Sequence, residues 1–231
     1  MHLFGATNDR FVVKGFRRKP HSFYNPAGVV SEKAHYLEKR TAITHQQYPR
    51  QASTSQLQLR AVTRVDAERL HTLLADPRVW AHLPRGRHHT RQQTEDLVSR
   101  YVTAWEQDHL GYWVAETLDG AFAGIGGCSR KSGPAWNLYY RFRPEFQGRG
   151  LATELALQAL QAAKYVNPGL PLVALLLEHN RASEAVAKKI GLRLVWRGPA
   201  VETHEMNMTR LIYADRSLST KTIHELRRDL A

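Results

Sequence analysis

The sequence predicts an α/β (α+β) fold: a mixed central sheet of about six to seven strands flanked by about four helices. Three observations carry this expectation. Between Tyr112 and Phe142, three short strand-like segments are separated by tight-turn sequences, which reads as an antiparallel meander. At Gly150 the apolar period switches to a helical one and holds to Lys164. Soon afterwards Leu172–Leu177 forms an uninterrupted apolar run, as expected of a strand buried on both faces.

Each element can be justified in chain order. Residues 1–56 show no sustained helical or strand period and are punctuated by Asn25-Pro26, Gly28, Pro49 and Ser55. They read as a basic, disordered arm with one short helix near 31–40. Leu57-Gln58-Leu59-Arg60-Ala61-Val62 alternates like a half-buried strand. Thr63 with Asp66 three residues on resembles a capping box. Val65, Leu70, Leu73 and Leu74 supply the stripe of the helix that follows, ended at Asp76-Pro77. Thr90 with Gln93 marks a second helix start, continued by Leu97, Tyr101 and Ala104. Tyr112–Thr117 and 121–128 pair across Asp119-Gly120, a strong hairpin dipeptide, and 135–142 is the third strand. The helix from Gly150 buries Leu151, Leu155, Ala159 and Ala162 and stops at Asn167-Pro168-Gly169. A short helix over 180–190 is closed by Gly191. Strands near 192–196 and 202–211 complete the domain, set at 57–213. Residues 214–231 form a short polar tail with helical character from Lys221 on.

Composition bounds the function. The net charge is +12, and residues 1–56 hold nine Lys or Arg against three Asp or Glu. Such a chain attracts polyanions: ribosome, nucleic acid, acidic membrane or a phosphate-rich cofactor. The arm is the candidate contact for a ribosome or other polyanion, with Phe11, Phe16, Phe23, Tyr24 and Tyr36 among its cations. No run of eighteen apolar residues exists, so no membrane partner is expected. Cys128 is the single cysteine, which points to the cytoplasm and reads as a small buried hydrophobe.

The chemistry concentrates after the third strand of the meander. Gln147-Gly148-Arg149-Gly150-Leu151-Ala152 opens a helix directly behind Arg143-Pro144-Glu145-Phe146. A helix N-terminus offers backbone N–H groups without intrahelical partners and a partial positive charge, so a diphosphate can sit there. Glycines let the backbone approach it closely. The dinucleotide-binding spacing and the P-loop Lys-Ser/Thr are both absent.

This segment resembles the Gln/Arg-x-x-Gly-x-Gly/Ala signature of the GNAT N-acetyltransferases. A second feature agrees: Asn180-Arg181-Ala182-Ser183 follows the buried strand, and Lys189-Ile190-Gly191-Leu192 closes the helix. Leu57 to Val62, Ala75-Asp76-Pro77-Arg78-Val79 and Leu83-Pro84 are similar to the start of the ribosomal-protein-alanine N-acetyltransferase subgroup. The resemblance spans about 57–211 and implies the GNAT fold. It implies an N-acetyltransferase using acetyl-CoA, with no metal and an amine acceptor, either a peptide N-terminus or a small amine. The implied cofactor-binding residues are Phe142, Gln147, Gly148, Arg149, Gly150, Leu151, Ala152, Asn180 and Ser183. Asn180 is expected to bridge strand, helix and cofactor, beyond a plain cap.

Two departures bear on catalysis. Relatives of this subgroup carry a carboxylate where this chain has Asn137, and many GNATs carry a tyrosine where it has Ala187. Ser183 is then the residue left to protonate the leaving thiolate. Candidate bases are Glu116 and His109, each set against an ordinary exposed role. His88-His89 has no further ligands at metal spacing. Lys188 and Lys189 are candidate phosphate partners or ordinary helix-end charges. Tyr112, Trp113, Trp136, Tyr139 and Tyr140 read mainly as core, with one or two lining an acceptor groove. The sequence leaves open a GNAT-fold acyl-CoA binder without turnover and a basic ribosome- or nucleic-acid-binding protein. The basic surface argues against a polycationic acceptor.

Overall fold

Leu57, Leu59 and Ala61 are buried along a strand whose alternate residues face out, which sets the register of everything paired to it. The computed structural model describes residues 47–130, 133–200 and 208–228. Eight strands form one sheet: β1 (Gln51–Ser53), β2 (Leu57–Ala61), β3 (Tyr112–Thr117), β4 (Phe122–Ser129), β5 (Trp136–Phe142), β6 (Leu172–Leu177), β7 (Arg193–Pro199) and β8 (Thr209–Ala214). The order is β1-β2-β3-β4-β5-β6-β8-β7. Every neighbouring pair is antiparallel except β5 with β6. Five helices complete the described fold: α1 (Ala67–Ala75), α2 (Arg91–Gln107), α3 (Leu151–Val166), α4 (Arg181–Lys189) and α5 (Thr220–Arg228).

Each sheet face has its own core. On one, α3 and α4 bury Leu151, Leu155, Ala159 and Ala187 with Trp113, Leu138, Phe142 and Leu176. On the other, α1 and α2 bury Leu70, Leu74, Val98 and Tyr101 with Tyr112, Val114 and Ile125. The expected helix starts hold, since Thr63 and Thr90 both close capping boxes. Val65, however, is 86% exposed. Residues Arg64–Asp66 form a tight 3-10 turn before α1, and that turn rotates Val65 outward. The apolar stripe of α2 is Thr94, Val98, Tyr101 and Trp105, which leaves Leu97 and Ala104 at its margin. Asp119-Gly120 makes the expected hairpin, with Gly120 at φ 86° and its N–H donating to the Thr117 carbonyl at 2.9 Å.

Gly126 allows α3 to lie close on the sheet. A Cβ there would stand 2.6 Å from Leu155 Cδ2 and 2.8 Å from Tyr140 Cβ. Cys128 is buried against the Ala159 carbonyl, and burial pushes its thiol well up, so it is an inert part of this packing.

Two expectations about the chain ends change. Order begins before Leu57: β1 pairs with β2, with Gln51 opposite Arg60 and Ser53 opposite Gln58. Tyr48 accepts a 2.6 Å hydrogen bond from Gln158 Nε2 and meets Trp113 edge-on. Residues 47–56 therefore belong to the folded domain, with Gln51–Ser53 in the sheet, joined by sparse contacts that no periodic pattern reveals; residues 1–46, including the helix expected near 31–40, lie outside the described residues. At the other end, α5 buries Leu226 against Val173, Ile212 and Ala214. Deleting residues 1–56 should accordingly lower the melting temperature more than deleting 1–46. Equal melting curves for the two truncations would refute a structural role for β1. Of the last expected strand, residues 202–207 also lie outside the described residues, and the strand is observed from Thr209 on.

Candidate functional site

The parallel pair β5–β6 is in register only at Trp136↔Leu172 and Asn137↔Val173. Beyond those pairs the two strands diverge. A cleft of about 730 Å³ opens between them, lined by 138–142 of β5, 174–177 of β6, the 146–153 turn and the first turns of α4. The Trp136 N–H donates to the Pro171 carbonyl at 2.8 Å, which fixes the edge of β5 that faces β6. Alternation places the N–H groups of Leu138 and Tyr140 on that same edge. Pairing ends near Leu138, so the Tyr140 N–H faces the opening.

The wall formed by 146–153 follows from two glycines. Gly148 has φ 76° and Gly150 φ 82°, conformations that L side chains rarely adopt. A Cβ at either would meet nothing within 4 Å. Both glycines thus turn the chain sharply while keeping bare backbone beside open space, at the N-terminus of the sixteen-residue helix α3. Leu151 lines the cleft and is buried in the core. Gln147 Nε2 donates to the Phe142 carbonyl at 2.9 Å and ties this turn to the end of β5. Arg149 lies over the Phe146 ring at 5.4 Å and does not line the cleft, unlike the other residues expected to hold the cofactor.

Asn180 caps α4: its Oδ1 accepts from the Ser183 N–H at 3.1 Å, and its own N–H donates to the Leu177 carbonyl at 2.9 Å. It therefore joins β6 to α4 and also lines the cleft. Ser183 faces the cleft, and its carbonyl accepts from the Tyr140 hydroxyl at 3.4 Å. Burial pushes the Tyr140 phenol up to about 12. Ala187, one turn further on, is buried in the core instead of facing the cleft. Of the lysines at the end of α4, Lys189 lines the cleft, while Lys188 pairs with Glu184 at 2.8 Å.

Glu116 does not reach this site. Its carboxylate is held by Arg69 at 2.6 Å and Arg60 at 3.6 Å, in a network around the buried Asp66. Burial alone would raise the Asp66 pKa, but hydrogen bonds from Arg60 and Thr63 hold it below the usual carboxylate range. Glu116, one of the two candidate bases, is thus placed in an ion-pair network and does not line the cleft. His109 lies in the loop before β3 at φ 59°, away from the cleft. His88 Nδ1 is 2.8 Å from Thr94 Oγ1, and no cluster of metal-binding residues occurs among the described residues.

Sequence reasoning missed the 78–85 segment and Arg141. An arginine on a strand reads as solvent-facing, and only the contrast of Asn137, Tyr139 and Arg141 with Leu138, Tyr140 and Phe142 hints at a second lined face. Arg141 is 9% exposed and lies over the Trp80 ring at 3.5 Å. His82 lines the same end; burial, then the charges of Arg141 and His179, lowers its pKa to about 4. It is neutral at physiological pH.

A parallel pair thus diverges beside a glycine turn at a helix N-terminus, leaving bare backbone at an open cleft. The acetyltransferase (GNAT) domain family model matches residues 56–193, and the chain belongs to this family. It is an acetyltransferase with the GNAT fold. Its structure is similar to a GNAT-family acetyltransferase from Bacillus anthracis, at 19% identity and TM-score 0.59, covering 71% of this chain and 96% of that one. An acetyltransferase from Agrobacterium tumefaciens is also similar, at 22% identity and TM-score 0.60, covering 74% of this chain and 95% of that one. So is RimL, a ribosomal L7/L12 alpha-N-protein acetyltransferase in complex with coenzyme A, at 20% identity and TM-score 0.59, covering 72% of this chain and 97% of that one. No described helix is long and apolar enough to cross a membrane.

Proposed function

We propose that the protein moves an acetyl group from acetyl-CoA to a primary amine, a peptide N-terminus or a small amine, by direct attack. The observation that carries this reading is the β5–β6 divergence beside the bare backbone of Gly148 and Gly150. That backbone fits a diphosphate, because adding a Cβ would fill space now open to a ligand. Phe142, Gln147, Gly148, Gly150, Leu151, Ala152, Asn180 and Ser183 would hold the donor, with Arg149 contributing charge from beside the turn. The thioester supplies an activated acetyl group and a thiolate leaving group.

The chain's own part is positioning, polarisation and proton supply. The Tyr140 N–H is directed to donate to the carbonyl oxygen as charge builds there. The Ser183 hydroxyl supplies a proton to the departing sulfur. No Asp or Glu lines the cleft among the described residues, and none is needed, since an α-amine of pKa about 7.7–8.0 is partly neutral near pH 7.5. A ribosome or another polyanion as partner of the basic residues 1–56, in the cytoplasm, rests on the charge of that segment. Incubation with acetyl-CoA and an amine panel, including peptides starting with Ala or Ser, should release free thiol. The rate should rise through about pH 7–9 as the acceptor loses its proton. Saturable CoA binding without thiol release from any amine would instead establish a non-catalytic binder.

A further inference from the structure

The face of β5 turned toward α1 and α2 holds a buried cation without an anionic partner. The Arg141 guanidinium donates to the Val79 carbonyl at 2.6 Å and to the Tyr139 hydroxyl at 2.9 Å, both neutral acceptors. No carboxylate pairs with it among the described residues. Buried charges are ordinarily matched by an opposite charge, because desolvation is otherwise uncompensated. Here the surroundings add cations. Arg78 and Lys189 line the same cleft, and no Asp or Glu does so among the described residues. Arg78 has its own anion, Asp76, at 2.6 Å. Arg141 is the cation built into the wall itself, clamped over Trp80 and open toward the cleft. Neighbouring His82 is kept neutral chiefly by burial, with the Arg141 charge adding to the effect.

We propose that the acceptor is a primary amine carrying a carboxylate or phosphate close to the amine, and that Arg141 selects it by pairing with that anion. This rests on the amine-acetyltransferase reading above. A cationic acceptor would meet repulsion, whereas an anionic one supplies the missing counter-charge and is held on the α1–α2 face, opposite the glycine turn. In the transfer itself the amine nitrogen bonds to the acetyl carbon, the carbon–sulfur bond breaks with its electron pair going to sulfur, the sulfur takes a proton from Ser183, and the amine proton passes to solvent, from which Ser183 regains its own. Arg141 takes no part in that exchange and acts as a specificity residue.

The test uses the full chain with acetyl-CoA and paired acceptors that carry or lack the anion. One arm compares the tripeptide amides Ala-Asp-Ala and Ala-Asn-Ala; the other compares phosphoethanolamine and ethanolamine. The first arm detects carboxylate recognition and the second phosphate recognition. In at least one arm, kcat/KM for the anionic member should exceed its neutral partner by about 30-fold or more, as expected for a desolvated charge pair. Arg141→Gln should bring that ratio toward one, and Arg141→Lys should restore a preference. If Arg141→Gln does not fold, Arg141→Lys and the salt dependence of the wild-type ratio decide the matter. The preference should shrink only modestly as salt rises, since a desolvated pair is screened less than an exposed one. Equal rates for both members in both arms would overturn the proposal while leaving amine acetylation standing. A preference that survives Arg141→Gln would also overturn it. No thiol release from any acceptor would sink both readings together.

Discussion

Gly150→Glu is expected to abolish the stabilisation of this protein by CoA. In the parent, a ligand that binds only the folded state at about 100 times its Kd adds about 2.7 kcal/mol. For a chain of this size that corresponds to a rise in Tm of roughly 5–10 °C. Gly150 is the N-cap of α3 at φ 82°, and a Cβ there points into open space. Glutamate would therefore project into the site and set a negative charge where a diphosphate would accept backbone N–H bonds. The substitution also forces a non-glycine residue into a left-handed conformation, at a cost of about 1–2 kcal/mol. Gly150→Ala carries that strain without the charge and should retain a reduced CoA shift. Thermal melts of the three proteins with and without CoA check this. A Gly150→Glu protein that keeps the parent's CoA shift would remove the diphosphate from this turn.

Ser183→Ala should lower kcat by about 10²–10⁴-fold, the usual effect of losing one positioned proton donor. CoA affinity should stay within a few-fold. The structure makes this substitution unusually clean. The Ser183 N–H is held by Asn180 Oδ1 and its carbonyl by the Tyr140 hydroxyl, and alanine preserves both backbone contacts. Only the hydroxyl facing the cleft is lost. Ala187, one turn further on, is sealed in the core and offers no hydroxyl to the cleft. Tyr140→Phe is the informative companion, because its phenol lines the cleft and donates to the Ser183 carbonyl. Single-turnover and steady-state kinetics distinguish the outcomes: unchanged kcat in Ser183→Ala with a large loss in Tyr140→Phe would move the donor role to Tyr140. Unchanged kcat in both would leave solvent as the proton source.

Local signals made most of the architecture legible. Asp119-Gly120, the capping residues Thr63 and Thr90, the Gly150 helix start and the Gly191 stop act within a few residues, so the sequence alone locates them. The apolar run Leu172–Leu177 indicates a doubly covered strand, because both of its faces carry core: Leu172, Ala174 and Leu176 on the α3–α4 side and Val173 on the α5 side. The glycine turn was legible because its chemistry is backbone chemistry, fixed by two residues without Cβ atoms.

Long-range geometry decided the rest. That β8 inserts between β6 and β7 follows from edge pairing, which no local pattern encodes. The inclusion of residues 47–56 in the folded domain depends on Tyr48 meeting Trp113 and Gln158, more than sixty residues away in the chain. Glu116 looked available because a carboxylate at a strand end is usually exposed; the folded chain surrounds it with Arg60 and Arg69. Arg141 looked like a surface charge because strands commonly alternate inward and outward residues. Here both faces of β5 are covered and β6 turns away, so its alternation separates two walls of one cleft. The sequence by itself determined which backbone could meet a diphosphate. Only the tertiary structure decided which side chains share the cleft with it, because that depends on where two parallel strands stop pairing.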